Sequence, residues 1–185
     1  GDVYKRQDEH RQGIIGAGTG ATVGKILGME SVMKSGLGSA TLTEGDLKVS
    51  AIVAVNAFGD VFDYEKGIQI AGPIKDGNMI KTSGVMSNII SDFSDLANKN
   101  TTIGIVATNA SFDKTRLKKI AQMTHDGFAR SINPVHTGFD GDSVFALATN
   151  EINADLNVVG VMAANAMSRA IANAIYHTKS QKSID

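Results

Sequence analysis

The run Ala51-Ile52-Val53-Ala54-Val55 does most to limit what this chain can fold into. Successive side chains of a strand point to opposite faces, so a half-solvated strand alternates apolar and polar residues. This run is apolar at every position and rich in β-branched residues, which predicts a central strand covered on both faces. A hairpin partner precedes it, because Leu42 and Leu47 flank the turn sequence Thr43-Glu44-Gly45-Asp46. TTIGIVATNA, residues 101–110, and SVFALAT, residues 143–149, supply two further buried strands. Between them Asp113 can cap a helix running to about Arg130, with Leu117, Ile120, Ala121, Thr124 and Phe128 along one stripe. A last helix starts at Asp155 or Asn157 and carries Val158, Met162, Ala166, Ala170, Ala174 and Ile175 on one side. Its alanines let a neighbouring element approach closely. This pattern predicts an α+β domain whose helices cover a mixed sheet.

The remaining segments are less periodic. Residues 59–84 read as loop, punctuated by Gly59-Asp60, Gly67, Gly72-Pro73, Asp76-Gly77-Asn78 and Ser83-Gly84. Residues 85–99 read as a modest surface helix or a connector ending in Asn98-Lys99-Asn100. GDVYKRQ, residues 1–7, is polar and aperiodic and reads as a non-native leader outside the fold.

Composition removes several function classes. With 185 residues the chain has the length of one domain with a real core. Net charge is −1 and no basic stripe is visible, so a nucleic-acid partner is not expected. There is no cysteine, which excludes disulfides, thiolate zinc sites and thiol catalysis. No apolar run reaches membrane-spanning length, so no membrane partner is expected. The compartment stays open, with the bacterial cytoplasm as the expectation and a signal peptide upstream of the given residues still compatible with it.

GIIGAGTGATVGK, residues 13–25, is the most conspicuous motif and invites a nucleotide-binding reading. A P-loop needs Gly five residues before the Gly-Lys pair and Ser or Thr after it. Here those positions hold Thr19 and Ile26. A dinucleotide fingerprint needs a strand before the glycines, an uninterrupted helix after them and an acidic residue closing a second strand. Asp8-Glu9-His10-Arg11-Gln12 makes a poor buried strand, Gly24 and Gly28 interrupt the helix, and Glu44 and Asp46 lie in a turn. The loop therefore reads as close-packed backbone or as the lining of a site.

Asn100-Thr101-Thr102 stands where a polar connector meets an apolar strand. If the chain is cut before Thr101, the new α-amine, with an ordinary pKa of about 8, can serve as base for the threonine's own hydroxyl. The cut itself would come from attack of that hydroxyl on the preceding carbonyl, helped by a general acid and an oxyanion donor. A strand that opens on Thr-Thr is also ordinary structure.

Several separated motifs together resemble the autoproteolytic L-aminopeptidase/D-amidase (D-Ala-esterase) family, which includes the β-aminopeptidases. They are GAGTGATVGK (16–25) with KSGLGSAT (34–41), AIVAVNAFGD (51–60), and NTTIGIVATNA (100–110) with FDGDSVFALAT (139–149). The resemblance runs from Gly13 to about Tyr176. It implies a four-layer αββα sandwich similar to N-terminal-nucleophile hydrolases but with different connectivity, like that of ornithine acetyltransferase. It implies a precursor that cuts itself at Asn100–Thr101 into an α chain, of which residues 8–100 are the C-terminal part, and a β chain, residues 101–185. The upstream portion of the α chain lies outside this fragment on that reading. Thr101 matches the family nucleophile and Asn56 the oxyanion-hole amide. Asp142 matches the acidic residue that orients the nucleophile and its amine, and Asp140 stands where many relatives carry Ser. Gly16, Gly18, Gly20, Gly36 and Gly38 would let backbone approach the substrate. The implied substrate is a small peptide, amide or ester, the chemistry uses no cofactor, and the assembly is a homo-oligomer of αβ units.

His125 and His136 are eleven residues apart and lack metal-ligand spacing, so no metal site is expected. His125 belongs on a helix face, and His136 in a loop, Asn133-Pro134-Val135-His136-Thr137, that leads to Asp140 and can line the pocket. The alternatives are an acetyltransferase of the ornithine type and a non-catalytic or dinucleotide-binding α/β domain.

Overall fold

A computed structural model describes residues 11–87 and 100–182. The strands are β1 (Thr22–Val23), β2 (Met33–Lys34), β3 (Leu37–Glu44), β4 (Leu47–Ala54), β5 (Asp60–Asp63), β6 (Ile68–Ala71), β7 (Ile74–Lys75), β8 (Asn78–Met79), β9 (Ile103–Ala110), β10 (Ile132–Asn133) and β11 (Ser143–Ile152). The helices are α1 (Thr82–Met86), α2 (Lys114–Ser131) and α3 (Leu156–Lys182). The main sheet has four strands in the order β11-β9-β4-β3. Its β3–β4 and β4–β9 pairs are antiparallel, and β9–β11 is parallel because α2 carries the chain back across the sheet. A smaller sheet, β10-β5-β6, stands beside it.

Helices α2 and α3 pack on one face of the main sheet. The core there joins Val49, Ala51, Val53 and Val106 of the strands to Ile120 and Phe128 of α2 and Ala166, Met167, Ala170, Ile171 and Ala174 of α3. Asp113 caps α2 as expected, accepting the Arg116 N–H at 2.8 Å. Asp155 accepts from Asn157 N–H at 2.8 Å and Val158 N–H at 3.3 Å, which orients the start of α3. The alanines of α3 have a definite partner in Gly38 of β3. A Cβ there would run into the Ala170 carbonyl oxygen and the Ala174 backbone. Gly38→Val should therefore force α3 off the sheet and cost at least about 3 kcal/mol, the upper part of the usual overpacking range. The midpoint of urea unfolding checks this, and a midpoint within error of wild type would refute it.

The structure corrects four expectations. β4 is central, but it is covered by the described residues on one face only: Val49, Ala51 and Val53 are buried while Ile52 is 40 % exposed. Ile103 and Ile105 of β9 and Phe145 and Leu147 of β11 share that open, apolar face. Residues 59–84 are not a loop; they hold β5 to β8 and the start of α1, built from strands of two to four residues too short to show a period. Asp60 organises this region. Its buried carboxylate accepts Thr82 N–H at 2.9 Å and Thr82 Oγ1–H, and burial pushes its pKa up to about 6. Helix α3 does have the length and hydropathy of a membrane span over Leu156–Ser180, but two thirds of that stretch is buried in the protein core. The leader at 1–7 and most of the connector at 85–99 lie outside the described residues.

Candidate active site

Strand register assembles the site. In the parallel β9–β11 pair, Ile103 stands opposite Ser143, and an isolated parallel bridge joins Asn100 to Asp140 at the same offset. Gly141 and Asp142 therefore lie beside Thr101 and Thr102. In the antiparallel β4–β9 pair, Ala54 faces Ile103, which brings Asn56 opposite Thr101 two residues further on. The Thr101 N–H donates to the Asn56 carbonyl oxygen at 2.9 Å. Three segments distant in sequence thus meet at one strand end because both pairings run through β9.

The peptide bond before Thr101 is held tightly. Asn100 is buried and its side-chain Nδ2 donates to the Phe139 carbonyl at 3.3 Å. The Asn100 carbonyl oxygen accepts Gly141 N–H at 2.9 Å and the Thr101 hydroxyl at 2.6 Å. Thr101 Oγ1 therefore sits against the carbonyl that its attack would require, with a backbone donor already on the oxygen. Gly141 cannot carry a side chain without crowding this hydroxyl: a Cβ there would lie 2.9 Å from Thr101 Oγ1.

Asn56 is oriented by a residue that sequence reading missed. Lys25 is buried, and its Nζ donates to Asn56 Oδ1 at 2.8 Å and to the Asn56 carbonyl at 3.4 Å. Thr22 N–H donates to the same Oδ1 at 3.2 Å. With Oδ1 committed as acceptor, the Nδ2 end of the amide is the donor. Lys25 reaches this point because residues 24–25 run along 58–59, with Gly24 N–H on the Gly59 carbonyl and Lys25 N–H on that of Phe58. Desolvation lowers the Lys25 pKa to about 8, with the Asp140 carboxylate acting in the opposite sense. In the sequence Lys25 shows only as the end of a failed P-loop pattern, and no spacing rule links it to an asparagine 31 positions away.

The two aspartates have separate tasks. Asp142 Oδ1 accepts Thr102 N–H at 2.9 Å, one residue past Thr101. Asp140 holds its own turn: Oδ2 accepts from Thr137 Oγ1 at 2.7 Å and Thr137 N–H at 3.1 Å, and Oδ1 from Phe58 N–H at 3.3 Å. Among the predicted glycines, Gly20 lines a cavity of about 540 Å³ that also contains Thr101, Asn56, Ala21, Leu37 and Ile52. Gly18, Gly36 and Gly38 lie instead at backbone close approaches, and Gly16 holds a left-handed φ of 48°. Several of the loop's amides are engaged within the protein, as at Gly18 N–H on Ile15, Thr19 N–H on Gly16 and Ala21 N–H on Gly18, and the next helical element, Met29–Ser31, has only three residues. No cluster of three metal-ligating side chains occurs among the described residues.

Comparisons with known proteins place the chain among its relatives. Over 145 residues the chain is 38 % identical to an uncharacterized aminopeptidase of Mycobacterium leprae, covering 77 % of this chain and 38 % of that one. It is 32 % identical over 154 residues to a 6-aminohexanoate-oligomer endohydrolase of a Kocuria species, covering 78 % of this chain and 41 % of that one. The structure of an L-aminopeptidase D-Ala-esterase/amidase from Ochrobactrum anthropi, described as a new variant of the Ntn-hydrolase fold, superposes with a TM-score of 0.60 at 19 % identity, over 90 % of this chain and 45 % of its own. A Burkholderia β-aminopeptidase gives 0.57 at 20 % identity, over 88 % and 46 %. The chain spans about half or less of the length of these relatives. Residues 4–185 match the profile of peptidase family S58 from end to end of the described fold, and the chain belongs to that family.

Proposed function

We propose that this chain is part of a self-processing N-terminal-nucleophile aminopeptidase or amidase. The observation that carries the reading is the Thr101 hydroxyl at 2.6 Å from the Asn100 carbonyl oxygen, with Gly141 N–H on that same oxygen. Attack of Oγ1 on the Asn100 carbonyl carbon forms a tetrahedral centre to whose oxyanion Gly141 N–H donates. Collapse breaks the C–N bond as the proton lost by the hydroxyl passes to the leaving nitrogen, which leaves Asn100 as an ester on Thr101 with the Thr101 amine released. Water then hydrolyses the ester to give an Asn100 carboxylate and a free Thr101, dividing the chain into residues 1–100 and 101–185.

In the second reaction the freed amine takes the hydroxyl proton, and Oγ1 attacks a substrate carbonyl. The Asn56 amide donates to the developing oxyanion, and water resolves the acyl-enzyme. The apolar cavity beside Thr101, lined by Ala21, Leu37 and Ile52, suits a small aliphatic acyl group of a peptide, amide or ester. The reaction needs no cofactor in this scheme. A homo-oligomer of αβ units fits the family, with the open sheet face as one apolar surface to be covered. Family membership does not favour an ornithine-type acetyltransferase, and the engaged amides of the glycine loop do not favour dinucleotide binding.

The test is the mass of the complete gene product under denaturing conditions. Two fragments that divide between Asn100 and Thr101 are expected. A single uncut chain after prolonged incubation would leave Thr101 without a free amine and end this reading.

A further inference from the structure

Behind Asp142 lies a chain of side chains that the scheme above does not use. Its carboxylate is almost wholly buried, at 3 % side-chain exposure. Oδ1 holds Thr102 N–H, and Oδ2 meets His136 Nδ1 at 2.9 Å. His136 Nε2 in turn meets His125 Nδ1 on α2 at 3.2 Å, and both rings pack near Phe128. His136 itself is held at a φ of 54°, a backbone state that non-glycine residues rarely adopt and that concentrates where function over-determines conformation.

We propose that His136 is a positioning residue for the Thr101 nucleophile, acting through Asp142 and held in its tautomer by His125. This rests on the self-processing reading of Thr101. A carboxylate with one oxygen on Thr102 N–H fixes the peptide plane between Thr101 and Thr102, and hence the direction of the Thr101 side chain. It keeps that orientation only if its second oxygen is also tied. His136 Nδ1–H supplies the tie, and His125 Nδ1–H on Nε2 keeps the His136 proton on Nδ1. The charged or titratable groups facing this pair are Asp142 from the start of β11 and Asp126 from α2. Burial first, and then His136, hold the His125 pKa below its ordinary value. With the two ring nitrogens 3.2 Å apart the pair accepts one added proton far more readily than two. A proton added to the pair upsets this donor–acceptor order, so the site senses pH on the acid side of the ordinary imidazole pKa of about 6.5, the direction in which His125 is held.

The experiment follows the rate at which the complete gene product releases the fragment beginning at Thr101, from pH 5 to 8. His136→Ala is expected to slow release at least about tenfold, the usual lower bound for losing a group that orients a functional ligand. His136→Asn keeps one N–H donor, cannot titrate and tolerates a positive φ. It is expected to restore most of the rate and to flatten the wild-type pH dependence. If the alanine variant does not fold, the asparagine variant's pH profile decides alone. Release by His136→Ala at the wild-type rate, or an asparagine variant with the wild-type pH profile, overturns the proposal while leaving self-cleavage intact. An uncut wild type overturns the self-processing reading and this inference with it.

Discussion

Thr101→Ala is expected to leave the chain in one piece and without amidase activity, a loss of about 10⁴-fold or more, as when the nucleophile of a covalent hydrolase is deleted. The size of the effect comes from one atom serving twice. Oγ1 would be the attacking group in the cut, and the same Oγ1 would carry the acyl group afterwards. Thr101→Ser keeps the hydroxyl and is expected to cut more slowly, because the lost methyl group no longer restricts χ1. The measurement is intact mass followed by turnover of a chromogenic amide. An alanine variant that still divides between Asn100 and Thr101 would show that another group does the cutting.

The second large effect is expected at Asn56 and the lysine that aims it. Asn56→Ala would remove the proposed oxyanion donor and should lower kcat by about 10²–10³-fold. Lys25→Met should lower kcat in the same direction but by less, because the amide survives and loses the 2.8 Å bond that fixes its orientation. Stability should move differently. Lys25 is a desolvated ammonium, and an apolar side chain of similar length relieves that desolvation, so the methionine variant should unfold at a midpoint no lower than wild type. Loss of activity with retained stability separates an orienting role from a structural one. A Lys25→Met protein with normal kcat and a lowered unfolding midpoint would show the reverse.

Much of this arrangement was legible in the sequence where the signal was local. Asp113 announced α2 because a cap and an apolar stripe lie within a few residues of each other. The strand opening at Thr101 was legible because polar residues give way abruptly to Ile103, Ile105 and Val106. What failed was information carried by register. Nothing near Lys25 says that it will lie on Asn56, and nothing near Asn56 says that its carbonyl will meet the Thr101 N–H. Those contacts follow from which strands pair and at what offset, which a single sequence states only weakly. The open face of β4 was missed for a related reason: Ile52 is as apolar as Val53, and composition does not say what covers each. The family resemblance carried the reader to Thr101, Asn56 and Asp142, but it offered five glycines of which only Gly20 lines the cavity.

The register of β4 on β9 has one more consequence. A cut at Asn100–Thr101 would fall between two strands that run side by side in the centre of the sheet, with six residue pairs from Val49↔Thr108 to Ala54↔Ile103. The two products would stay interleaved, since parting them means opening the middle of the sheet. Once unfolded, however, they would have to find each other by diffusion, so a process that was first order before the cut becomes second order after it. The protein would fold once as a single molecule and thereafter carry a history: its recovery from denaturation would depend on concentration, although its native contacts had not changed.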